Sequence, residues 1–132
     1  MDSNVFISLF EREIGRNTRG LFVEAEVFFE RVRDLGDVIV LSDWFFEEVK
    51  SKRYHLKDEI IAYFEKIGVK TEIASSGGQI GVREHIEMGI HSADALHIAI
   101  AIKDKCDCIV TFNSRDFKKA EGQIKILEPQ DF

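Results

Sequence analysis

Residues 92–102 read Ser-Ala-Asp-Ala-Leu-His-Ile-Ala-Ile-Ala-Ile, and this stretch contributes most to the prediction of the fold. From Ala95 to Ile102 nearly every position is apolar, so a helix here has no polar face and is expected in the interior. Asp94 opens this helix, although a carboxylate is almost never fully buried without a partner. Two explanations remain open for Asp94: a first-turn charge stabilised by the helix dipole, or a ligand of a metal ion held together with other acids.

On either side of this helix, short apolar runs rich in β-branched residues alternate with stretches of helical periodicity. We predict strands at residues 38–41, 69–73, 108–112 and 124–127, and helices at residues 5–14, 18–35, 43–53, 56–67, 82–88 and 93–105. Asn4 is the predicted cap of the first helix. Residues 15–20 are a predicted polar break, and residues 75–78 a predicted flexible loop. The alternation is typical of an α/β fold with a mostly parallel sheet covered on both faces.

The composition favours one ordered domain over residues 1–132. The chain has 132 residues, 45% of them hydrophobic, and a net charge of −6. A net negative charge is unusual for a protein that binds nucleic acid, unless the acids hold cations that then face the phosphates. No apolar run reaches bilayer length and no leader is recognisable, so we expect a cytoplasmic protein and no membrane partner. Cys106 and Cys108 are predicted to be buried reduced thiols, with a disulfide or half a zinc site as the less favoured alternatives.

Three acids distant in the sequence, Asp2, Glu48 and Asp94, stand at the ends of apolar segments. In an open parallel sheet, sites form outside the carboxyl ends of the strands, and both Glu48 and Asn113 follow such ends. Two carboxylates about 4 Å apart repel by roughly 4 kcal/mol at an effective dielectric of 20, so a cluster of acids needs a cation or a bound proton. Oxygen ligands favour Mg²⁺ or Mn²⁺. Such ions activate water and polarise phosphodiesters.

Five segments in order resemble the PIN-domain family, in particular the VapC-like ribonuclease toxins. They cover nearly the whole chain: Asp2-Ser3-Asn4-Val5-Phe6-Ile7, Ser42 followed by Glu48, Ser92-Ala93-Asp94-Ala95-Leu96-His97-Ile98-Ala99, Ile109-Val110-Thr111-Phe112-Asn113 through Asp116-Phe117, and Ile126-Leu127-Glu128-Pro129. Each motif alone is weak, and the ordered set is specific.

The resemblance implies a three-layer α/β/α sandwich with a mostly parallel central sheet. It also implies a Mg²⁺- or Mn²⁺-dependent endoribonuclease that cleaves single-stranded RNA, with an antitoxin protein and a second copy of the chain as partners. Asp2, Glu48 and Asp94 take the family's acidic positions. Asn113 stands where many members carry a fourth acid, and Asp116 matches a further acidic position, so we expect Asp116 to supply a metal ligand and Asn113 to ligate or orient water.

Ser3, Asn4 and Thr111 are the residues that the resemblance implies would orient the acids. One departure from the family is that only Met1 precedes Asp2, where members usually have a short apolar strand in the middle of the sheet. The first strand is therefore expected to be missing or to lie before the given start. With this start, the α-amino group is expected close to the metal site.

Other residues have simpler explanations. Glu48 on an amphipathic helix is ordinarily a surface acid, and Glu47 replaces it if the register is off by one. His97 is expected to be a core residue or one that orients the acids, rather than a catalytic base. The remaining histidines, His55, His85 and His91, are expected on the surface. Four phenylalanines are expected in the core or in a groove for a second copy or an antitoxin: Phe6, Phe10, Phe28 and Phe29. Several basic residues are expected either to steer RNA or to be solvated: Lys50, Lys52, Arg53, Arg115, Lys118 and Lys119.

Three other functions remain open at this point. The first is a PIN-like module that binds RNA or protein and cleaves poorly, which Asn113 and the missing strand favour. The second is a nuclease of the same family acting in RNA maturation. The third is a receiver or a haloacid-dehalogenase-type phosphatase. The phosphatase is disfavoured because Asn4 stands where its second Asp would be, and the receiver because Thr111-Phe112-Asn113 offers no lysine.

Overall fold

The structure is a computed structural model that describes residues 1–12, 20–53, 55–75 and 82–132. In chain order its helices are α1 (Ser3–Glu11), α2 (Leu21–Leu35), α3 (Asp43–Arg53), α4 (Lys57–Ile67), α5 (Val82–Glu87), α6 (Ser92–Lys103) and α7 (Ser114–Phe117). Its strands are β1 (Val38–Ser42), β2 (Lys70–Ala74), β3 (Cys108–Val110) and β4 (Lys125–Leu127), and short 3₁₀ turns span Lys118–Ala120 and Pro129–Asp131. The predicted order of helices and strands is confirmed, and α7 is an addition where we predicted only a turn.

The strands form two separate parallel pairs. β1 pairs with β2 in the register Val38 to Lys70, and β3 pairs with β4 in the register Cys108 to Lys125. Among the described residues no fifth strand joins β1 to β3. The α/β class with parallel strands is therefore confirmed. Residues 1–2 form no strand, because α1 begins immediately at Ser3.

Glycines end two of the helices as the sequence predicts. Gly36 follows α2 with φ 71°, and Gly68 follows α4 with φ 78°. This left-handed conformation strains residues that carry a Cβ atom, and it lets the last helical carbonyls accept hydrogen bonds from the turn. Both turns send the chain directly into a strand.

The start of α1 differs from the prediction. Asp2, with extended φ and ψ, is the residue that precedes the helix, and Asn4 lies inside its first turn. Asn4 does not cap the helix, because its side chain is used in hydrogen bonds with Thr111 and Phe112. The predicted polar break at residues 15–20 and the loop at residues 75–78 lie mainly outside the described residues.

Two hydrophobic clusters form the core. The larger, which we call the phenylalanine cluster, joins α1–α4 to the β1–β2 pair and contains Phe6, Phe28, Phe29, Phe45, Phe46 and Phe64. The smaller, which we call the isoleucine–alanine cluster, joins α6 to the β3–β4 pair and contains Ile90, Ala95, Ile98, Ala101, Ile109, Phe117, Ala120, Ile124 and Ile126. The prediction that residues 95–102 form a buried helix is confirmed except at its end, where Ile102 is exposed.

One prediction about exposure is confirmed and another is wrong. Phe6, Phe28 and Phe29 are no more than 2% exposed and lie in the core, as one of the two alternatives predicted, whereas Phe10 is 41% exposed. His85 is buried rather than on the surface, and its Nε2 lies 2.6 Å from Oε1 of Gln123. The buried imidazole of His85 thus has a hydrogen-bond partner, Gln123, 38 positions away in the sequence.

Candidate metal centre

Asp2 is held between the two sheets. Its backbone N–H donates to the carbonyl of Val110 at 3.0 Å, while the amino group of Met1 donates to the carbonyl of Val40 at 3.3 Å. The Asp2 side chain is buried at the carboxyl ends of β1 and β3, where α/β sheets place their sites. The resemblance assigned an acid to this place, and the backbone bonds explain how Asp2 reaches it.

Thr111 fixes one oxygen of the Asp2 carboxylate. Its hydroxyl donates to Oδ2 of Asp2 at 2.7 Å, and it accepts from Nδ2 of Asn4 at 3.2 Å and from the N–H of Asn113 at 3.0 Å. A threonine hydroxyl has one hydrogen to donate and two lone pairs, so these bonds use all of its capacity. Thr111 is completely buried, and Asn4 in turn accepts from the N–H of Phe112 at 3.2 Å.

The predicted orienting roles therefore have a geometric basis for Asn4 and Thr111. Asn4 acts on Asp2 through the Thr111 hydroxyl rather than directly. Ser3 is buried at the start of α1, next to Asp2 in the sequence. Its orienting role stays a prediction.

Glu48 comes from α3, whose start follows directly from the end of β1. The hydroxyl of Ser42 accepts from the N–H of Phe45 at 3.0 Å, which satisfies one of the unpaired donors of the first turn. Phe45 and Val49 are fully buried, and they fix the rotation of the helix. In this register the Glu48 side chain is only 13% exposed, whereas Glu47 points to solvent. The alternative register with Glu47 in the site is thus excluded.

His97 lies between the two carboxylates. Its Nε2 is hydrogen-bonded to Oε1 of Glu48 and lies 3.6 Å from Oδ1 of Asp2. Among the described residues, Asp2, Glu48 and His97 are the group whose possible ligand atoms all lie within 4.8 Å of one another. The sequence indicated only that His97 shares a helix face with Asp94. Its place among the ligand atoms was missed, although a histidine on an otherwise apolar helix was the available signal.

Asp94 lies one turn before His97 in the first turn of α6 and is half-buried. Burial, followed by the negative charge of Asp2, raises its pKa from 3.8 to about 6, while His97 partly opposes the rise. Asp116 adds a further repulsion. Asp94 thus shares the electrostatic environment of Asp2 and Asp116, but it is not part of the close group of ligand atoms.

Asn113 and Asp116 lie at the exposed rim of the site. Nδ2 of Asn113 donates to Oδ2 of Asp116 at 2.6 Å, across the first turn of α7. Both side chains are exposed, and Asp116 is outside the group of ligand atoms within 4.8 Å. Their predicted roles as ligand or water-orienting residue remain predictions, and the structure shows instead that Asn113 holds the Asp116 carboxylate.

This donor set could hold a divalent cation. Oxygen ligands at about 2.1 Å from an octahedral Mg²⁺ lie at most about 4.2 Å apart, and the possible ligand atoms here lie within 4.8 Å of one another, so small side-chain movements would bring them to one ion. The imidazole nitrogen changes the selectivity, because nitrogen ligands suit Mn²⁺ and other transition metals better than Mg²⁺. Asp2 Oδ1, Glu48 Oε1 and His97 Nε2 are the atoms that would hold the ion.

Among the described helices, none combines the length and apolar character that a bilayer crossing requires. Comparison of the chain with protein-family models, with curated proteins and with solved structures finds no match.

Proposed function

We propose that this chain is a metal-dependent endoribonuclease with a single PIN-like domain, which uses Mn²⁺ or Mg²⁺ to hydrolyse single-stranded RNA. One observation supports the proposal. At the carboxyl ends of parallel strands, the possible ligand atoms of Asp2, Glu48 and His97 all lie within 4.8 Å of one another, although the three residues come from distant parts of the chain. We also propose that the fold is a three-layer sandwich, in which α2 and α6 cover the two sides of one parallel sheet.

The residues of the candidate metal centre have different proposed roles. Asp2, oriented by Thr111, would bind the cation together with Glu48 and His97. The cation supplies Lewis acidity, which activates water and stabilises the developing charge on phosphate. Asp94, with a pKa near 6, is suited to accept a proton from the attacking water near neutral pH.

RNA binding is proposed to involve basic residues beside the site. Arg115, Lys118 and Lys119 are exposed in and after α7, close to Asp116, and Lys50 and Lys52 are exposed on α3. Contacts of this type hold phosphates without reading the base sequence. The Arg53 side chain lies outside the described residues.

The proposal is tested with a fluorescent single-stranded RNA in Mn²⁺, with and without a chelator. We expect cleavage that the chelator abolishes, and a loss of at least about 100-fold in Asp2→Asn and Glu48→Gln, because a few kcal/mol of transition-state stabilisation is removed. Glu47→Gln is the matched control, since Glu47 neighbours Glu48 but faces solvent. Cleavage that persists in excess chelator would refute the proposal.

A second candidate is a PIN-like module that binds RNA or protein and cleaves poorly. The observation that favours it is Asn113, which brings no charge to the acidic position and instead holds Asp116. Calorimetry showing RNA affinity without Mn²⁺ binding would favour this candidate over the nuclease.

Within the proposal, the biological role is that of the toxin of a toxin–antitoxin pair, with an antitoxin and a second copy of the chain as partners. A nuclease of RNA maturation would use the same residues. A small neighbouring gene for a DNA-binding antitoxin would distinguish the first role from the second.

A further inference from the structure

β2 is the outer strand of its pair, and its second edge has no partner among the described residues. β1 occupies one side of β2, and no third described strand joins the other side. No backbone hydrogen bond from another described element reaches residues 70–74. An unpaired edge presents a row of backbone N–H and C=O groups to any strand that approaches it.

Two opposite charges lie on this outer strand. Lys70 and Glu72 are two positions apart, so they project from the same face of β2, and both are exposed. Among the described residues, neither side chain has a hydrogen-bond or ion-pair partner. A lysine on an edge strand ordinarily prevents association with another strand. Here a glutamate of the same strand offers a charge of opposite sign, so a second copy of β2 can pair with both.

The sequence of β2 is complementary to itself. When two copies pair antiparallel about a two-fold axis at Thr71, Lys70 of each copy lies directly opposite Glu72 of the other. Residues that are directly opposite in an antiparallel pair have Cβ atoms about 4.5–5.5 Å apart, and opposite charges in such positions attract. Because a two-fold axis repeats each contact, this pairing contains two Lys–Glu pairs.

Other registers of the same two strands lack this match. An axis at Lys70 sets the two lysines against each other, and an axis at Glu72 sets the two glutamates against each other. A slip of one residue sets side chains of opposite faces against each other. The charges of β2 therefore favour the register with its axis at Thr71.

Ile73 also indicates that the sheet can extend beyond β2. Its partner in the β1 register is Leu41, which lies on the same face and is fully buried. Ile73 itself is 51% exposed, because the sheet ends at β2. A strand added at this edge would cover Ile73, so pairing would bury an apolar side chain in addition to matching the charges.

We propose that the chain associates with a second copy of itself through β2, which pairs antiparallel with β2 of that copy about an axis at Thr71. The two β1–β2 pairs then form one four-stranded sheet. The proposed function includes a second copy as a partner, and this inference assigns it a surface. The pairing needs neither metal nor RNA cleavage. A strand of five residues buries less area than a standard interface, so we expect a reversible dimer with a dissociation constant on the order of 100 µM.

The test reverses the two charges and measures self-association by sedimentation equilibrium up to about 500 µM. Lys70→Glu sets acids against acids across the axis, and Glu72→Lys sets lysines against lysines. We expect each single variant to associate at least about 10-fold more weakly, because two attractive pairs become two repulsive ones. The double variant Lys70→Glu/Glu72→Lys restores both pairs with exchanged signs, and it should associate like the unmodified chain.

An equimolar mixture of the two single variants is the sharpest comparison. In a mixed dimer the acids of one copy face the lysines of the other, so two variants that associate weakly alone should associate with each other. Each reversal changes the net charge of −6 by two units, so both variants stay negative and net charge opposes their association. Only a specific pairing of the two strands therefore explains recovery in the mixture.

Lys125→Glu is the matched control, because Lys125 is an exposed strand lysine on β4. It should leave self-association unchanged. An unmodified chain that stays monomeric at about 500 µM would overturn the proposal. A dimer that neither single variant weakens, or that Lys125→Glu weakens equally, would overturn it as well, and so would single variants that stay monomeric when mixed. RNA cleavage is measured separately on each variant, and its loss or persistence bears only on the nuclease.

Discussion

The phenylalanine cluster and the isoleucine–alanine cluster are built differently, and the candidate metal centre lies where they meet. The first holds Asp2 and Glu48 through α1 and α3, on large aromatic side chains that pack edge to face. The second holds Asp94 and His97 through α6, on small and branched side chains that let the helix lie close to the sheet. The acids are thus held by two separate hydrophobic clusters.

Polar bonds link the two clusters. The Thr111 hydroxyl bonds to Asp2, and His97 of α6 bonds to Glu48 of α3. A cation held by Asp2, Glu48 and His97 would link both clusters. Apolar packing thus stabilises each cluster internally, while charges and hydrogen bonds help to determine how the two clusters meet.

The largest expected effect is within the phenylalanine cluster. Phe64 is fully buried and packs against Phe6 and Phe29, so Phe64→Ala should lower the free energy of unfolding by about 3–5 kcal/mol, measured by urea unfolding. Phe10→Ala is the matched control, because Phe10 is 41% exposed although it also contacts Phe6. Its cost should stay well below that of Phe64→Ala. Similar losses in both variants would show that the cluster is not the main apolar support.

A smaller effect is expected at the border itself. Thr111→Val keeps the shape of the side chain and removes the hydroxyl that serves Asp2, Asn4 and Asn113. We expect a loss of about 1–3 kcal/mol, because buried polar groups lose their partner. Mn²⁺ affinity should fall about 10- to 100-fold, because the Asp2 carboxylate is no longer oriented.

Urea unfolding and calorimetry with Mn²⁺ measure the two effects of Thr111→Val. Thr71→Val on β2 is the control, since Thr71 is a strand threonine outside the site. Unchanged Mn²⁺ affinity in Thr111→Val would mean that Thr111 has no part in orienting Asp2.

The sequence alone was sufficient to predict the helices and strands and part of the candidate metal centre. Helical periodicity predicted α2, a nearly continuous apolar run predicted α6, and alternation with β-branched runs predicted the parallel strands, because these signals depend on neighbours a few positions away. The proximity of Glu48 to Asp2 was expected from the resemblance and from the rule that sites gather at the carboxyl ends of parallel strands.

What the sequence did not reveal depends on contacts between distant residues. Asparagine is a common helix cap, but the side chain of Asn4 is hydrogen-bonded to Thr111, 107 positions later in the sequence. His85 is polar, yet Gln123 satisfies it in the interior. His97 enters the group of ligand atoms only because α3 brings Glu48 to it. Local pattern carries no information about such partners.

The smallest effect is expected at Asp94, where burial and the negative charge of Asp2 both disfavour the ionised carboxylate. The pKa of Asp94 is raised from 3.8 to about 6, so the folded protein binds this proton more tightly than the unfolded chain does. The resulting stability is fully present below about pH 4 and is lost as the pH rises through about 6, which leaves an ionised Asp94 beside Asp2 as a penalty at neutral pH.

Asp94→Asn should therefore match the unmodified protein at pH 4 and exceed its stability by about 1–2 kcal/mol at pH 8, a value reduced for partial exposure. Urea unfolding across this pH range measures the difference, with Glu47→Gln as a control that should show no such trend. Mn²⁺ should shrink the gain, because a nearby cation stabilises the ionised Asp94 that the substitution removes. A gain that does not change with pH would mean that burial and the charge of Asp2 do not control the protonation of Asp94.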